Sequence, residues 1–180
     1  MYTFSLLRKA FFGWLLAVSA AYAQNLVSNP TFDDGIDGWQ TSAGAEWMPT
    51  FGYEKGSLHL SSRSGTATAT QCIVIGSGNT YVATARVDSH CAGARVLSVL
   101  WATTEDCSDT ADFTHGDFAS SVAAFDWELL TVTAASPAGA HFIQIRLFDA
   151  DTCADDVFFD DVSLQYDDIF YDGFDPHSVD

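Results

Sequence analysis

The chain has 180 residues, with 24 Asp and Glu against seven Lys and Arg, and its formal net charge is −17. Binding to nucleic acid requires Lys and Arg that neutralise phosphates, so this charge argues against a nucleic-acid partner and against an anionic membrane. After residue 23 no run is long and apolar enough to cross a bilayer, so we expect no membrane insertion.

Residues 1–23 have the pattern of a secretory signal peptide. Arg8 and Lys9 form the basic start, residues 10–21 are a short apolar run, and Ala21-Tyr22-Ala23 is a cleavage site. The alternative is that residues 1–23 remain attached as a membrane anchor, but their apolar run is short for that role. The residue after the cleavage site is Gln24 and not cysteine, so we do not expect a lipoprotein. We expect an exported protein, extracellular or periplasmic. Cleavage removes Arg8 and Lys9 and takes the formal charge from −17 to −19.

The rest of the chain predicts an all-β protein. Short runs rich in Val, Ile, Thr and aromatic residues alternate with Gly, Asp and Ser, and no helical pattern or repeat is visible. We expect eight strands, at residues 26–32, 57–61, 67–75, 81–88, 95–103, 127–134, 141–148 and 157–165. Such a series predicts a two-sheet antiparallel β-sandwich of the jelly-roll type over residues 24–166. Residues 167–180 form an acidic tail.

The last strand contains an unexpected carboxylate. Alternation places Phe158, Asp160, Val162 and Leu164 on one face, which is otherwise apolar. A carboxylate there is costly unless it is hydrogen-bonded, neutralised or bound to a cation. We therefore expect a partner for Asp160, and the acidic, Gly-rich bend after Phe32 is the candidate.

Five motifs in chain order resemble a known group of families. The chain opens with Asn-Leu-x-x-Asn-x-x-Phe-Asp-x-Gly-x-x-Gly-Trp at 25–39 and closes with Phe-x-Asp-Asp-Val-x-Leu at 158–164. Between them stand Gly-Ser-x-x-Leu at 56–60, Gly-x-Thr-Tyr at 78–81 and a strand that opens with Trp127. This pattern resembles carbohydrate-binding module families 4, 9 and 22, which implies a galactose-binding-like jelly roll and a polysaccharide or other glycan as partner.

The resemblance also implies where the glycan binds. Jelly-roll order would group the strands that begin at residues 26, 157, 67 and 127, and those that begin at 57, 141, 81 and 95. The outward face of the second group corresponds to the sugar cleft of the resembling modules. Alternation places these candidate ligands on that face: His59, Thr84, Arg86, Ser98, Phe142, Gln144 and Arg146. Their planar polar groups suit vicinal hydroxyls, and Phe142, Phe148, Trp47 or Tyr53 would stack on a sugar ring. The alternative is a polar face that only keeps the sheet soluble.

A structural Ca²⁺ is the second implication. Asp33, Glu54 and Asp160 stand where the resembling modules place calcium-binding acids, and hard cations take several oxygen ligands. The alternative is that Asp160 accepts backbone hydrogen bonds without a metal.

The four cysteines lie in the exported part of the chain, so we expect disulfides. In the predicted topology Cys107 and Cys153 follow two strands at the same end of one sheet. We therefore expect the pairs Cys107–Cys153 and Cys72–Cys91, among the three pairings that four cysteines allow.

No ordered Ser, His and Asp set and no carboxylate pair across the predicted cleft indicates an enzyme. Two hypotheses follow: a non-catalytic glycan-binding module, or an exported structural or protein-interaction sandwich of the same fold. The second would take protein partners at the cell surface.

Overall fold

The structure is a computed structural model, and it describes residues 24–61, 66–90, 94–108, 116–121, 125–149 and 156–167. The predicted signal peptide and most of the acidic tail lie outside these residues. No helix in the described part is long and apolar enough to cross a membrane.

Ten strands form two antiparallel sheets of five strands each. In chain order they are β1 (Gln40–Thr41), β2 (Ala45–Met48), β3 (Ser57–Ser61), β4 (Thr68–Val74), β5 (Thr80–Ser89), β6 (Arg95–Ala102), β7 (Phe118–Ser121), β8 (Glu128–Ala135), β9 (Phe142–Asp149) and β10 (Asp156–Tyr166). Sheet A has the order β1-β4-β9-β6-β7, and sheet B has the order β2-β3-β10-β5-β8. The predicted all-β sandwich is confirmed.

The core lies between the two sheets and follows from strand alternation. On β9 the residues Ile143, Ile145 and Leu147 are fully buried, while the residues between them are half-buried on the outer face. Strands β3, β5 and β8 alternate in the same way. Because each sheet is apolar on its inner side only, the two sheets bury these faces against each other.

Seven of the eight predicted strands are present, and the first is not. Residues 26–32 lie alongside β10 but do not form a strand, because Asn29 and Phe32 have positive φ angles of 48° and 50°. The segment still lies beside the last strand, since the Leu26 N–H donates to the Leu164 carbonyl at 2.9 Å. The start of the described chain therefore contacts the last strand, although in irregular form.

The predicted division into sheets is wrong for three strands. Strand β4 lies in sheet A with β6 and β9, whereas β3 and β5 lie in sheet B with β8 and β10. Alternation determines which residues of a strand face the core, but it does not determine which sheet the strand joins. Which strands become neighbours depends on the segments that connect them. These connecting segments contain the short edge strands β1, β2 and β7, which the sequence pattern did not predict.

A β-bulge in β10 changes the face of Asp160. The pairing of β10 with β5 shifts register between Asp160 and Ser163, and Asp161 has a φ of 46°. The bulge inserts a residue, so Val162 and Leu164 pack in the core while Phe158 and Asp160 face outward. The expectation that these four residues share one face is therefore wrong.

Candidate functional site

The seven predicted glycan ligands lie on two opposite surfaces. Ser98 on β6 and three residues of β9 (Phe142, Gln144 and Arg146) are on the outer face of sheet A. His59, Thr84 and Arg86 belong to β3 and β5, so they are on the outer face of sheet B. The prediction of a single face failed because β3 and β5 were assigned to the wrong sheet.

A groove crosses the outer face of sheet A. Its volume is about 320 Å³, and it is lined by Val96, Ser98, Leu100, Gly116, Phe118, Arg146 and Phe148. The strand register places Arg146 opposite Ser98, and Ser98 opposite Phe118, so these side chains form one row across three strands. Among the predicted ligands, Ser98 and Arg146 line this groove, and Gln144 pairs with groove residue Leu100 in the next row.

The groove offers both aromatic rings and hydrogen-bond donors. The Phe118 side chain is 69% exposed, and the Arg146 guanidinium lies over the ring of Phe148, 4.9 Å from its centroid. This stacking orients the guanidinium, which retains donors for a ligand. Apolar rings and planar donors are suited to sugars, whose ring faces are apolar and whose edges carry hydroxyls.

Phe118 was not predicted as a site residue. It lies on a four-residue edge strand, Phe118–Ser121, whose sequence is too short and too polar to signal a strand. Gly116, two residues before Phe118, is the sequence feature that could have indicated this strand. A Cβ at this position would collide with the main-chain oxygen of Val99, so glycine allows the chain to approach β6 closely.

A disulfide between Cys72 and Cys107 bounds the same surface. Cys72 lies on β4 directly beside Gln144 of β9, and Cys107 belongs to the loop after β6. The loop therefore crosses the sheet from β6 to β4 and flanks the groove. This pair contradicts the predicted pairs Cys107–Cys153 and Cys72–Cys91. The prediction used the strand ends of one sheet, whereas the actual bridge joins a loop to an outward-facing position inside a strand. Cys91 and Cys153 lie outside the described residues.

The three predicted ligands on sheet B have contacts of their own. His59 Nε2 lies 2.7 Å from Asp156 Oδ1, and the His59 ring stacks on Phe158. The hydroxyls of Thr84 and Ser163 form a 2.7 Å hydrogen bond, and Arg86 lies over the ring of Tyr53. Trp47 on β2 and Tyr53 in the 49–56 loop are also on this side, where Trp47 Nε1 donates to the Phe32 carbonyl at 2.7 Å. Neither aromatic reaches the sheet A groove.

The expected calcium ligands do not fit a metal site built from their carboxylates. Within the described ranges, no three His, Cys, Asp or Glu side chains are close enough to hold a metal ion. The buried Asp160 carboxylate instead accepts backbone N–H groups from Tyr53 and Asp161, each at 2.7 Å. These bonds hold the 49–56 loop on sheet B. The hydrogen-bond partners of Asp160 are therefore Tyr53 and Asp161, and the prediction that the bend after Phe32 supplies the partner is wrong. Burial raises the pKa of Asp160, with the backbone donors opposing that rise.

A second cavity lies at one end of the sandwich. It has a volume of about 420 Å³ and is lined by Trp101, Ala102, Thr103 and the 137–140 turn. Trp101 is only 5% exposed, and Thr103 is the one polar side chain in the lining. The cavity differs from the sheet A groove in that it has no charged side chain in its lining, whereas the groove has Arg146.

No protein-family model matches the chain, and no curated protein matches it. Solved structures do match. A family 61 carbohydrate-binding module in complex with β-1,4-galactotriose is 15% identical, with a TM-score of 0.63 over 80% of this chain and 99% of that chain. A family 22 xylan-binding domain from Paenibacillus barcinonensis is 16% identical, with a TM-score of 0.58 over 80% of this chain and 95% of that chain.

A tailspike protein of bacteriophage CBA120, in its enzymatically active domain, also matches with a TM-score of 0.63 and 15% identity. The match covers 79% of this chain and 21% of the tailspike chain, so this chain spans about a fifth of that protein. Carbohydrate-binding modules of families 4 and 16 match as well. The chain therefore has the jelly-roll fold of carbohydrate-binding modules, in agreement with the resemblance seen in its sequence.

Proposed function

We propose that this protein is an exported, non-catalytic carbohydrate-binding module that binds a glycan in the sheet A groove. The observation that carries the proposal is the row of Arg146, Ser98 and Phe118 across three adjacent strands, with Phe148 beside it. It combines donors for hydroxyls with rings for stacking. The structural neighbours support this class of ligand, since one is in complex with β-1,4-galactotriose and another is a xylan-binding domain.

The groove lining supports a binding role over a catalytic one. Glycosidases use two carboxyl groups that flank the scissile bond. None of the seven residues that line the groove is Asp or Glu. The lining therefore supplies recognition without a general acid or a nucleophile.

The cysteine bridge supports export. Disulfides persist in oxidising compartments such as the periplasm and the extracellular medium, and the structure contains one between Cys72 and Cys107. Together with the signal-peptide pattern of residues 1–23, this favours an extracellular or periplasmic location.

A glycan array tests the proposal. The protein from Gln24 onward should bind one or more polysaccharides, and the double variant Phe118→Ala/Arg146→Ala should bind at least one of them markedly more weakly. Lys55→Ala is the matched control, because it also removes one cation but lies on the surface in an exposed pair with Asp34. A blank array from a folded protein would contradict the proposal and favour the alternative, a structural or protein-interaction sandwich.

Calcium binding stays a prediction, and the hydrogen bonding of Asp160 does not support it. It is tested by the melting temperature in calcium and in EDTA. A structural ion would raise the melting temperature in calcium, and Asp33→Asn would remove that difference. Equal melting temperatures would contradict calcium binding.

A further inference from the structure

A row of aromatic rings crosses the outer side of sheet B, on the surface opposite the groove. In spatial order the rings are Phe125, His90, Phe51, Trp127 and Tyr53, and we call them the sheet B strip. Successive ring centroids are separated by 6.1, 5.9, 6.0 and 6.1 Å. Each ring therefore lies next to another, and the strip is a continuous aromatic surface.

The strip is open to solvent, although a buried ring supports it. Phe125 is 75% exposed and Tyr53 is 44% exposed, and His90 is also exposed. Phe158 lies beneath, only 4% exposed, with its ring centroid 4.3 Å from that of Phe51. The lower ring already fills the space between the strip and the sheet. The upper rings therefore form a platform that the described residues leave open to solvent.

Polar atoms with unused hydrogen-bonding capacity lie directly beside the strip. Arg86 Nε, Asp88 Oδ1 and His59 Nδ1 are buried and have no hydrogen-bond partner among the described residues. In the strand register His59 of β3 and Asp88 of β5 are the two neighbours of Phe158 on β10. The Arg86 guanidinium lies 4.4 Å from the centre of the Tyr53 ring. Buried polar groups in native proteins are nearly always satisfied, so such groups indicate that water or a ligand supplies the missing bonds.

We propose that the sheet B strip is a second carbohydrate-binding surface, which takes a linear neutral glycan along the row of rings. A continuous aromatic surface offers stacking positions to several sugar units of one chain, each with one apolar face. Asp88, Asp126 and Asp156 stand near the strip, so it would repel acidic or sulfated glycans. This inference is separate from the groove, because the two surfaces lie on opposite sheets.

Two opposed glycan surfaces make the protein bivalent. One copy then holds two polysaccharide chains, or two segments of one chain, without any contact between copies of the protein. Such linkage raises overall affinity for a polymer above that of either surface alone. It also predicts that the protein crosslinks a soluble polysaccharide, which a protein with the groove alone would not do.

The test compares two double variants with the wild-type protein. The strip variant is Tyr53→Ala/Phe125→Ala, and the groove variant is Phe118→Ala/Arg146→Ala. Both strip residues are exposed, and the alanine at 53 keeps the backbone N–H that binds Asp160. Val74→Ala is the control, since Val74 is 71% exposed and lies on sheet A. Affinity electrophoresis is run in gels that contain neutral polysaccharides, and turbidity measures crosslinking.

We expect the groove variant to keep retardation by at least one polysaccharide, and a variant with all four substitutions to lose it. Crosslinking should disappear in either double variant but not in Val74→Ala. If the groove variant binds no polysaccharide and the strip variant binds as the wild type does, the inference is overturned while the proposed function stands. If the strip variant changes only the sedimentation of the protein, the strip is a protein interface and the inference also fails. The absence of any binding by the wild type overturns both.

Discussion

We expect glycan recognition in the groove to depend most on Arg146. Its guanidinium is stacked on Phe148 and aligned with Ser98, a geometry that a lysine ammonium does not reproduce. We predict that Arg146→Ala weakens glycan binding by roughly 10- to 100-fold, from the loss of about 1.5–3 kcal/mol of charged hydrogen bonds.

Arg146→Lys should recover less than half of that free energy, because the planar donors and the stacking are absent. Titration calorimetry measures both variants, with Lys55→Ala as control. Wild-type affinity in Arg146→Lys would show that charge alone is sufficient and would contradict this role.

Asp160 gives stability a specific dependence on pH. Burial raises its pKa in the folded state above the ordinary value, so the folded state favours the protonated carboxyl. Its contribution to stability is fully present below the unfolded pKa, near 3.8, and is lost as the pH rises through the raised value. We predict that the melting temperature of Asp160→Asn, relative to wild type, increases as the pH rises from that value towards neutral.

The melts are recorded in EDTA, so that any bound metal does not contribute. Asp37→Asn, at an exposed position, is the matched control and should show no such trend. A relative melting temperature of Asp160→Asn that is constant with pH would contradict the role assigned to burial.

At the scale of elements, the disulfide connects stability to the shape of the site. The two cysteines are 35 residues apart in sequence, so removing the disulfide should lower the free energy of unfolding by about 2–4 kcal/mol. We predict that Cys72→Ser/Cys107→Ser lowers the melting temperature and also weakens glycan binding, because the loop beside the groove is released.

A peptide map of the non-reduced protein tests the pairing itself. It should contain a linked peptide with Cys72 and Cys107, which leaves Cys91 and Cys153 as each other's only partners within the chain. A linked peptide with Cys107 and Cys153 would contradict the structure.

The long strands could be predicted from sequence because their residues alternate with period two, as Ile143, Ile145 and Leu147 show. The short edge strands could not, since segments of two to four residues such as Gln40–Thr41 are too short to show a pattern. The bulge at Asp160 also escaped prediction, because one inserted residue leaves no mark on composition and yet reverses the face of every residue beyond it.

Two of the seven residues that line the groove were predicted as ligands, and the reason concerns which sheet each strand joins. The outward positions on β6 and β9 were identified correctly, so Ser98 and Arg146 were found together. His59, Thr84 and Arg86 were also outward-facing, but they lie on the other sheet. Alternation shows that a residue faces outward, but it does not show on which of the two sheets the residue lies. The predicted ligands of one surface therefore lie on two.

For the whole molecule, the two-sheet architecture separates two surfaces of similar chemistry. The groove on sheet A has exposed Phe118 and Arg146, and the strip on sheet B has exposed Tyr53 and Phe125. Packed sheets are about 10 Å apart, so the core prevents any direct contact between the two surfaces. Each surface can therefore be altered without changing the other, and the acidic charge of the chain disfavours anionic ligands at both.

The central claim is that a glycan occupies the sheet A groove, and amide chemical-shift mapping tests it most directly. The isotope-labelled protein is titrated with the glycan that the array identifies. The account predicts saturable shifts at Ser98, Phe118 and Arg146, on three adjacent strands. Saturation with no shift at these three residues would contradict it.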